Sequence, residues 1–364
     1  MKTDKQILRH YISQTANPYG DGAAKRSAQI SEILQKYNID NKRIDILFKH
    51  KIHYSHFLKA FLFCKKNKMK MRFNKIKLKR LTSEINYAQN FLAANKTQNQ
   101  LFLWETTRDW YYYLPYIFKN ANIPVIALPH NLESLVPSQK SFFSEKESPL
   151  WFSEEIQHLK QADAVFAISR EEQLFLQLFG IESYYLPYYP TFEVTENLLQ
   201  IRENRKTSSK DFFLLLGSAY NPPTFLGMKT LIEQFQNQNI NQKLIVAGYG
   251  SEILQSTINQ KYIELKGEVN NELLTDLMNH AKAVFINQPA TTGALTKIPE
   301  LLIAGIPIIA NSFSLRSFHN IEGIYSFENI SEINNLTKID FAIPKIPKRE
   351  TIFEEYFVEK IRHL

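Results

Sequence analysis

The feature that most constrains the fold is a helical pattern enclosed by two short apolar runs, in residues 284–310. The segment reads VFINQPATTGALTKIPELLIAGIPIIA. Its helix is expected to begin near Lys297, because a proline such as Pro299 is tolerated only in the first turn of a helix. Gly305 and Pro307 end that helix before the second apolar run. Apolar runs that alternate with helices are typical of parallel α/β units.

The same segment places charged groups at a helix start. A strand, a small-residue turn and a helix start together attract anions, because free backbone N–H groups and the helix dipole point at the turn. Lys297 and Glu300 lie three residues apart and therefore share one face of the helix. A cation suits phosphate and a carboxylate suits hydroxyl groups, so the pair fits a nucleotide sugar. By themselves these residues would more often be an exposed ion pair; the order of the whole segment favours a binding site.

This segment resembles the donor-binding signature of family 4-like glycosyltransferases (glycosyl transferases group 1), which have the GT-B fold. In that family a Lys-x-x-Glu helix precedes a Gly-x-Pro strand. The resemblance implies that Glu300 binds the ribose hydroxyls of the donor, that Lys297 binds its diphosphate, and that Thr291, Thr292 and Gly293 line the turn. Many members have a second carboxylate, which contacts the transferred sugar, where this chain has Thr292. The donor sugar and the retaining chemistry are therefore left open.

Three further segments of the second half resemble parts of the donor domain. The strand predicted at 212–216 is followed by a turn in which the family commonly has an Arg and Lys pair, and Ser218 stands where the Arg is expected. In the family, a Gly-x-Gly strand end and a Gly-x-Val segment border the nucleobase. A lone glycine is more often a turn residue, so the resemblance depends on the order of these segments along the chain. The resemblance adds these donor-binding candidates: Gly217, Ser218, Asn221, Gly248, Tyr249 and Val269.

A glycine-rich loop follows the first predicted strand and opens a helix. It is similar to the loop of GT-B acceptor domains that closes over the donor phosphates and the acceptor hydroxyl. Gly20 and Gly22 would allow close backbone approach, Asp21 lies between them, and Arg26 offers a forked donor for phosphate. The alternative is an ordinary Asp/Gly turn, and the spacing does not fit a dinucleotide-binding site.

A Pro-His-Asn-x-Glu sequence, residues 129–133, ends another predicted strand. Relatives place a His-Asn pair there, so the resemblance implies that His130 bonds a hydroxyl of the donor sugar, beside Asn131. His130 could alternatively act as a base with a pKa near neutrality. A single His at a strand end is usually structural, and the matching surroundings favour function here. Glu105 and Ser169 also end predicted strands, and structural roles are favoured for both.

The organisation along the chain indicates two α/β domains, for which 364 residues are sufficient. Strands are predicted at 6–12, 43–48, 101–104, 124–128, 164–168, 184–186, 212–216, 243–247, 262–265, 283–286 and 306–310. Helices are predicted at 27–36, 108–120, 171–179 and 352–364. Two Rossmann-like domains are expected to face each other across a cleft. The predicted boundaries are 1–190 for the acceptor-side domain, 191–210 for a linker, 211–349 for the donor domain, and 350–364 for a helix that packs back onto the first domain.

The charge of the chain favours an anionic partner. The formal net charge is +8 and the isoelectric point is near 9.2. Residues 65–80 contain no acid, and an apolar segment precedes them. Residues 57–81 can therefore lie on an anionic membrane surface, and a solvated helix face is an equal alternative. Nucleic acid is not expected as a partner, because no binding motif accompanies the charge.

Composition excludes several other classes. The single cysteine, Cys64, rules out an intramolecular disulfide and a multi-cysteine zinc site. The sequence has no motif that would hold a divalent cation, so no metal or other cofactor is expected. No apolar run is long enough to span a membrane, and no signal-peptide core precedes the first strand. A cytoplasmic protein is expected, peripheral on the inner face of the plasma membrane if the basic segment docks there.

Together these observations predict a hexosyltransferase. It would move a hexose from a nucleoside-diphosphate sugar, with a UDP-sugar favoured, to an acceptor hydroxyl, and the family resemblance favours retention of configuration. The expected setting is bacterial surface-glycan biosynthesis, with a glycan or lipid-linked acceptor. Two alternatives stay open: a non-catalytic GT-B subunit that binds glycan or supports a partner transferase, and a GT-B-fold nucleotide-sugar epimerase.

Overall fold

The protein is described by a computed structural model. The described residues are 5–11, 15–44, 54–69, 75–95, 99–108, 111–137, 152–318 and 320–364. The chain divides into two compact units. The first takes Met1–Leu135, Gln139–Pro187 and Glu350–Leu364, and the second takes Tyr188–Arg349 with Val136–Ser138.

The first unit is built on a six-stranded parallel sheet with the strand order β2-β1-β3-β4-β5-β6. Its strands are β1 (Gln6–His10), β2 (Asn41–Arg43), β3 (Gln100–Trp104), β4 (Val125–Ala127), β5 (Ala164–Ala167) and β6 (Ser183–Tyr185). Its helices are α1 (Gly22–Lys36), α2 (Tyr54–Lys66), α3 (Lys75–Asn95), α4 (Leu114–Asn120), α5 (Phe152–Leu159) and α6 (Arg170–Leu178).

Both faces of this sheet are covered by apolar side chains. Successive residues of a strand point to opposite faces, and in β3 Phe102 packs with one apolar cluster while Leu103 packs with another. Helices on the two sides complete these clusters, as expected for a parallel sheet.

The second unit contains another six-stranded parallel sheet, with the order β12-β11-β10-β7-β8-β9. Its strands are β7 (Phe212–Leu216), β8 (Leu244–Ala247), β9 (Ile263–Gly267), β10 (Ala281–Ile286), β11 (Ile308–Asn311) and β12 (Ile324–Phe327). Its helices are α7 (Phe192–Asn204), α8 (Pro222–Asn237), α9 (Asn271–His280), α10 (Lys297–Ile303) and α11 (Ile333–Leu336). The strand order reverses between β7 and β10, so a crevice is expected at their carboxyl ends.

The last helix, α12 (Thr351–His363), belongs to the first unit. Phe357, Val358 and Ile361 are buried in the same cluster as Ile7 of β1 and Ile30 of α1. The ring of Phe357 meets that of Phe166 edge to face, with 4.9 Å between centroids.

The parallel α/β class predicted from the sequence is confirmed, and several elements need correction. The segment 191–210, predicted as a linker, is largely the helix α7, which buries Val194, Leu198 and Ile201 in the core of the second unit. The predicted helix at 108–120 begins only at Leu114, with a proline in its first turn. Strand β12 was not predicted; it is short and half-buried at the sheet edge.

Some predictions reach beyond the described residues. Of the strand predicted at 43–48, residues 45–48 lie outside them, and β2 ends at Arg43. Within the basic segment, the same holds for residues 70–74. Among the residues that the structure does describe, no helix is both long enough and apolar enough to cross a bilayer.

A buried ion pair ties β1 to the end of β3. Arg9 Nε donates to Glu105 Oε1 at 2.8 Å, and both side chains are buried. Ser27 Oγ of α1 donates to the other carboxylate oxygen at 2.6 Å. Arg9 also donates to Ser31 Oγ and to the backbone oxygen of Ser27. Because every charged group here has several partners, the pair locks α1 onto the sheet, which agrees with a structural role for Glu105.

We expect Glu105→Ala to destabilise the first unit by about 3–5 kcal/mol, because it leaves the Arg9 guanidinium buried without its counter-charge. The measurement is urea unfolding followed by circular dichroism. Lys119→Ala is the matched control, since it breaks the more exposed pair between Lys119 and Asp163 and should cost about 1 kcal/mol or less. Equal losses in both variants would contradict the assignment.

Candidate functional site

Gly217 follows β7 and Gly248 follows β8, and these two glycines lie in close contact beside the point where the strand order reverses. A Cβ at Gly217 would stand 2.5 Å from Thr224 Cγ2. Gly248 has φ +126°, and a Cβ there would stand 2.2 Å from the backbone oxygen of Gly217. Neither position can take a side chain without moving backbone or α8. Glycine at both positions therefore allows the two strand ends to come this close together.

Lys297 and Glu300, both on α10, are each bound to a group outside that helix. Lys297 Nζ donates to the backbone oxygen of Leu216, the last residue of β7, at 2.8 Å. The buried Glu300 accepts a hydrogen bond of 2.7 Å from the hydroxyl of Tyr188. A Cβ at Gly217 would stand 3.4 Å from Lys297 Nζ. The structure thus brings Gly217 and Lys297 together and orients one oxygen of Glu300.

Arg316 fixes the turn that precedes α10. Its guanidinium donates to the backbone oxygens of Thr292 and Gly293, each at 2.7 Å, and to that of Phe313. Gly293 has φ +78°, which suits glycine. In a trans peptide the N–H points opposite to the C=O. The N–H groups of Gly293 and Ala294 are therefore directed away from the guanidinium.

Sequence reasoning did not identify Tyr188 or Arg316. Tyr188 is 112 residues from Glu300, and Arg316 is 24 residues from Thr292. No local pattern marks either residue, because their roles arise only when distant segments pack together. The half-buried Thr291 adjoins the turn that Arg316 holds.

The turn after β7 offers little to a phosphate. Asn221 caps α8, and its side chain accepts the N–H of Thr224. The first two helical residues are Pro222 and Pro223, which have no N–H. The backbone oxygen of Ser218 accepts the N–H of Asn221. Asn221 therefore acts as a helix cap, and this helix start has no N–H left for an anion.

The two residues predicted to border a nucleobase differ in surroundings. Tyr249 is exposed, and its ring lies 4.8 Å from that of Tyr220, centroid to centroid. Val269 is half-buried and packs against the apolar cluster under α9 and α10. Tyr249 presents an open aromatic surface, whereas Val269 contributes mainly to packing.

In the first unit, the structure corrects the role predicted for Arg26. Its guanidinium is 1% exposed and donates to the backbone oxygens of Leu186, at 2.5 Å, and Pro187, at 3.1 Å. It points inward because it lies on the face of α1 that covers the sheet. Arg26 therefore holds the chain after β6 and does not present a fork to phosphate.

The glycine-rich loop serves as the start of α1. Asp21 is the helix cap, and its side chain accepts the N–H of Ala24 at 2.9 Å. A Cβ at Gly20 would stand 2.7 Å from Ala24 Cβ, so the loop folds tightly on the helix. Gly22 is the exposed first residue of the helix. These contacts are those of an ordinary Asp/Gly turn that starts a helix.

His130 and Asn131 follow β4 and contain buried polar atoms that lack partners among the described residues: His130 Nε2 and Asn131 Oδ1. Burial lowers the pKa of His130 to about 3, and the charges of Arg26 and Arg108 add to this effect. The imidazole is therefore neutral at physiological pH. The expectation of a base with a pKa near neutrality is wrong, because the ring is desolvated beside two cations. The neutral ring can still donate or accept one hydrogen bond at Nε2.

No group of three or more His, Cys, Asp or Glu side chains that could hold a metal ion occurs within the part of the chain that the structure describes.

No protein-family model matches the sequence, and no curated protein matches it. Solved structures do match over nearly the whole chain. Sucrose-phosphate synthase from Thermosynechococcus elongatus is 14% identical, with 92% of this chain and 89% of that chain covered and a TM-score of 0.58. Trehalose 6-phosphate synthase from Burkholderia multivorans is 9% identical, with 99% and 97% covered and a TM-score of 0.60. HepE from Anabaena, in complex with UDP, is 12% identical, with 91% and 88% covered and a TM-score of 0.53. The chain has the GT-B fold.

We expect the His130 ring to remain neutral between about pH 5 and 8, where an unperturbed imidazole would titrate. Its C–H signals in ¹H–¹³C NMR should therefore not shift across this range. His130→Asn assigns the signals. A titration midpoint near 6.5 would show that the ring is solvated and that the site is built differently.

Proposed function

We propose that this protein is a glycosyltransferase that moves a hexose from a nucleoside-diphosphate sugar to an acceptor hydroxyl. The observation that carries the proposal is the pair of anchored charges on α10: Lys297 Nζ on the end of β7, and Glu300 held by Tyr188. Both lie beside the reversal of strand order in the second sheet, where α/β proteins bind ligands.

The Glu300 carboxylate is suited to the ribose of the donor. Tyr188 donates to Oε1, and a carboxylate can accept hydrogen bonds at both oxygens. A ribose presents two neighbouring hydroxyl donors, which match such a group. The hydrogen bond from Tyr188 holds the carboxylate in one orientation, so less conformational entropy is lost on binding.

Lys297 and the turn held by Arg316 are suited to the diphosphate. The ammonium is a compact positive charge, and Arg316 aims the N–H groups of Gly293 and Ala294 to one side. The turn after β7 has no cation, and the first turn of α8 has no N–H left for an anion. Lys297 would therefore neutralise more of the diphosphate charge here than it does in relatives with an Arg and Lys pair. In this proposal the leaving diphosphate is stabilised by these groups, without a metal ion.

The sugar and the base of the donor are proposed from two further observations. In the first unit, His130 Nε2 and Asn131 Oδ1 are suited to hydroxyl groups of a sugar. HepE is similar to this chain in fold and has been solved with UDP and with UDP and glucose, which supports a UDP-sugar as donor. We propose retention of configuration and a glycan or lipid-linked acceptor in bacterial surface-glycan biosynthesis.

A second candidate is a non-catalytic GT-B subunit that binds glycan or supports a partner transferase. Two observations favour it: the first turn of α8 is blocked by Pro222, Pro223 and the cap of Asn221, and Thr292 replaces the usual carboxylate. A protein that had lost donor binding would tolerate both features.

We expect UDP to bind the wild-type protein in the presence of EDTA, as measured by titration calorimetry. Glu300→Ala should weaken binding by about 10- to 100-fold, because it removes a charged hydrogen-bond acceptor, and Tyr188→Phe by about fivefold, because it removes only the orienting bond. Glu233→Ala, which changes an exposed glutamate of α8, is the control and should bind as wild type.

The result separates the two candidates. Absence of UDP binding, or equal binding by Glu300→Ala, would overturn the transferase and leave the non-catalytic subunit. Binding followed by sugar release from a panel of nucleoside-diphosphate sugars supports the enzyme. The anomeric configuration of the product, read by NMR, then decides between retention and inversion.

We also propose that the outer face of α2 docks on an anionic membrane. Leu58, Phe61 and Leu62 are 61%, 62% and 52% exposed, and their spacing places them on one side of the helix. The exposed lysines nearby are Lys59, Lys65, Lys66 and Lys68. The sequence has twelve Lys and Arg and no Asp or Glu in residues 46–83. Apolar anchors beside uncompensated cations match an anionic bilayer surface, which would make the protein peripheral on the cytoplasmic face.

We expect the protein to sediment with vesicles of phosphatidylglycerol and phosphatidylcholine, and less so as salt is raised. Phe61→Ser and Lys65→Glu should each reduce the bound fraction. Leu178→Ser is the matched control, because Leu178 is 82% exposed on a different helix. Binding that is unaffected by salt, or equal losses with Leu178→Ser, would refute docking through α2.

A further inference from the structure

Three consecutive backbone N–H groups directly after His130 and Asn131 are held by two buried carboxylates. The N–H of Leu132 donates to Glu172 Oε1 at 3.0 Å. The N–H groups of Glu133 and Ser134 donate to Glu155 Oε1 and Oε2 at 2.8 and 3.0 Å. Successive N–H groups that point the same way form a natural anion-binding concavity. Here the anions belong to the protein itself, from α5 and α6.

Glu155 does most of this anchoring. Besides the two N–H groups it accepts hydrogen bonds from the hydroxyls of Ser134 and Tyr112. The side chain is 1% exposed. A buried carboxylate is costly unless it is fully hydrogen-bonded, and these four hydrogen bonds compensate that cost for Glu155.

The anchored stretch, residues 132–134, directly follows His130 and Asn131 in the chain. These two residues lie between it and β4, and they carry the buried atoms Nε2 and Oδ1 without partners among the described residues. Catalytic and binding groups must be held within a fraction of an ångström to act.

We propose that Glu155 is a positioning residue, which fixes residues 132–134 and thereby sets His130 and Asn131 for a ligand that offers hydroxyl groups. The consequence for turnover rests on the proposed function. The anchoring itself does not, and it can be tested separately.

The protonation state of Glu155 determines how many hydrogen bonds it can accept from residues 132–134. Burial raises the pKa of Glu155 to about 7, against hydrogen bonds from Ser134, Glu133 and Tyr112 that lower it. A protonated carboxyl must donate one hydrogen and cannot accept from all four donors. Among the described groups nearby, Glu172 lies on α6, Glu133 pairs with Arg108 at 3.6 Å, and His158 stacks on Tyr112. Burial lowers the pKa of His158 to about 3, so that ring stays neutral.

The local and global effects of this proton have opposite signs. Because the pKa of Glu155 is higher in the folded protein than the ordinary 4.5, the folded state takes up the proton first. Its contribution to the free energy of unfolding therefore falls as pH rises from about 4.5 to 7. The full set of hydrogen bonds to residues 132–134 forms only as pH rises through the same range. Protonation of Glu155 thus loosens residues 132–134 locally while it favours the folded state as a whole.

The first test is hydrogen exchange by mass spectrometry on the full chain at a fixed pH of about 8, above the pKa of Glu155. Glu155→Gln should raise the exchange rate of the amides at 132–134 by about tenfold or more, because Gln cannot accept at both positions. Glu171→Gln, an exposed glutamate on α6, is the control and should leave the rate unchanged. Unchanged exchange in Glu155→Gln would overturn the anchoring.

The second test follows turnover of the sugar nucleotide. Glu155→Gln should lower kcat by about tenfold or more through misplacement of His130 and Asn131, while the Kd for UDP stays unchanged. Ser134→Ala removes a hydrogen bond that lowers the pKa of Glu155, so the acid limb of the pH profile should move to higher pH. A purely structural glutamate would not shift that limb.

The outcomes remain distinguishable from those of the proposed function. If wild-type protein fails to bind UDP, the transferase assignment falls, and hydrogen exchange still decides the anchoring. If Glu155→Gln turns over like wild type with the same pH profile, the positioning role is overturned. If Glu155→Gln does not fold, Ser134→Ala and Tyr112→Phe carry the test, because both keep the carboxylate. If the acid limb of the pH profile of turnover stays in place in both of these variants, the inference is overturned.

Discussion

The candidate donor site depends on one hydrogen bond, from Lys297 Nζ to the backbone oxygen of Leu216. It joins the helix that follows β10 to the end of β7, and these are the neighbouring strands at which the strand order reverses. A parallel sheet opens a crevice at such a point. The bond therefore holds a positive charge at that point, and one turn further along α10 the hydroxyl of Tyr188 orients the Glu300 carboxylate.

The first unit uses many of its charges to hold its own backbone and helices. Arg26 binds the carbonyls after β6, Glu105 pairs with Arg9, and Glu155 accepts the N–H groups that follow Asn131. Each is a charged hydrogen bond in a low-dielectric interior, where such bonds are strong and a missing partner is costly. A count of basic residues in this unit therefore overstates how many are available to a phosphate.

Much of the architecture followed from local pattern. Apolar runs between helices predicted the strands of both sheets except β12, and the Gly-x-x-x-Lys-x-x-Glu order predicted α10 with its two charges on one face. The sequence pattern led to a wrong prediction where a segment is polar overall but packs through a few apolar residues. Residues 191–210 are an example, because Val194, Leu198 and Ile201 suffice to bury α7. The role of Arg26 was also predicted wrongly, because the sequence does not reveal which face of α1 meets the sheet.

The sequence by itself determined the fold class, the place of glycines in tight turns, and the residue types on α10, because these depend on spacing of a few residues. Tertiary structure alone decided which charged side chains bind the protein's own backbone and which stand at the candidate site. Tyr188 meets Glu300 across 112 residues, Arg316 reaches the turn before α10, and Glu155 reaches the loop after β4. Such contacts form only when distant elements pack, and the desolvation that packing imposes sets the pKa of His130 and of Glu155.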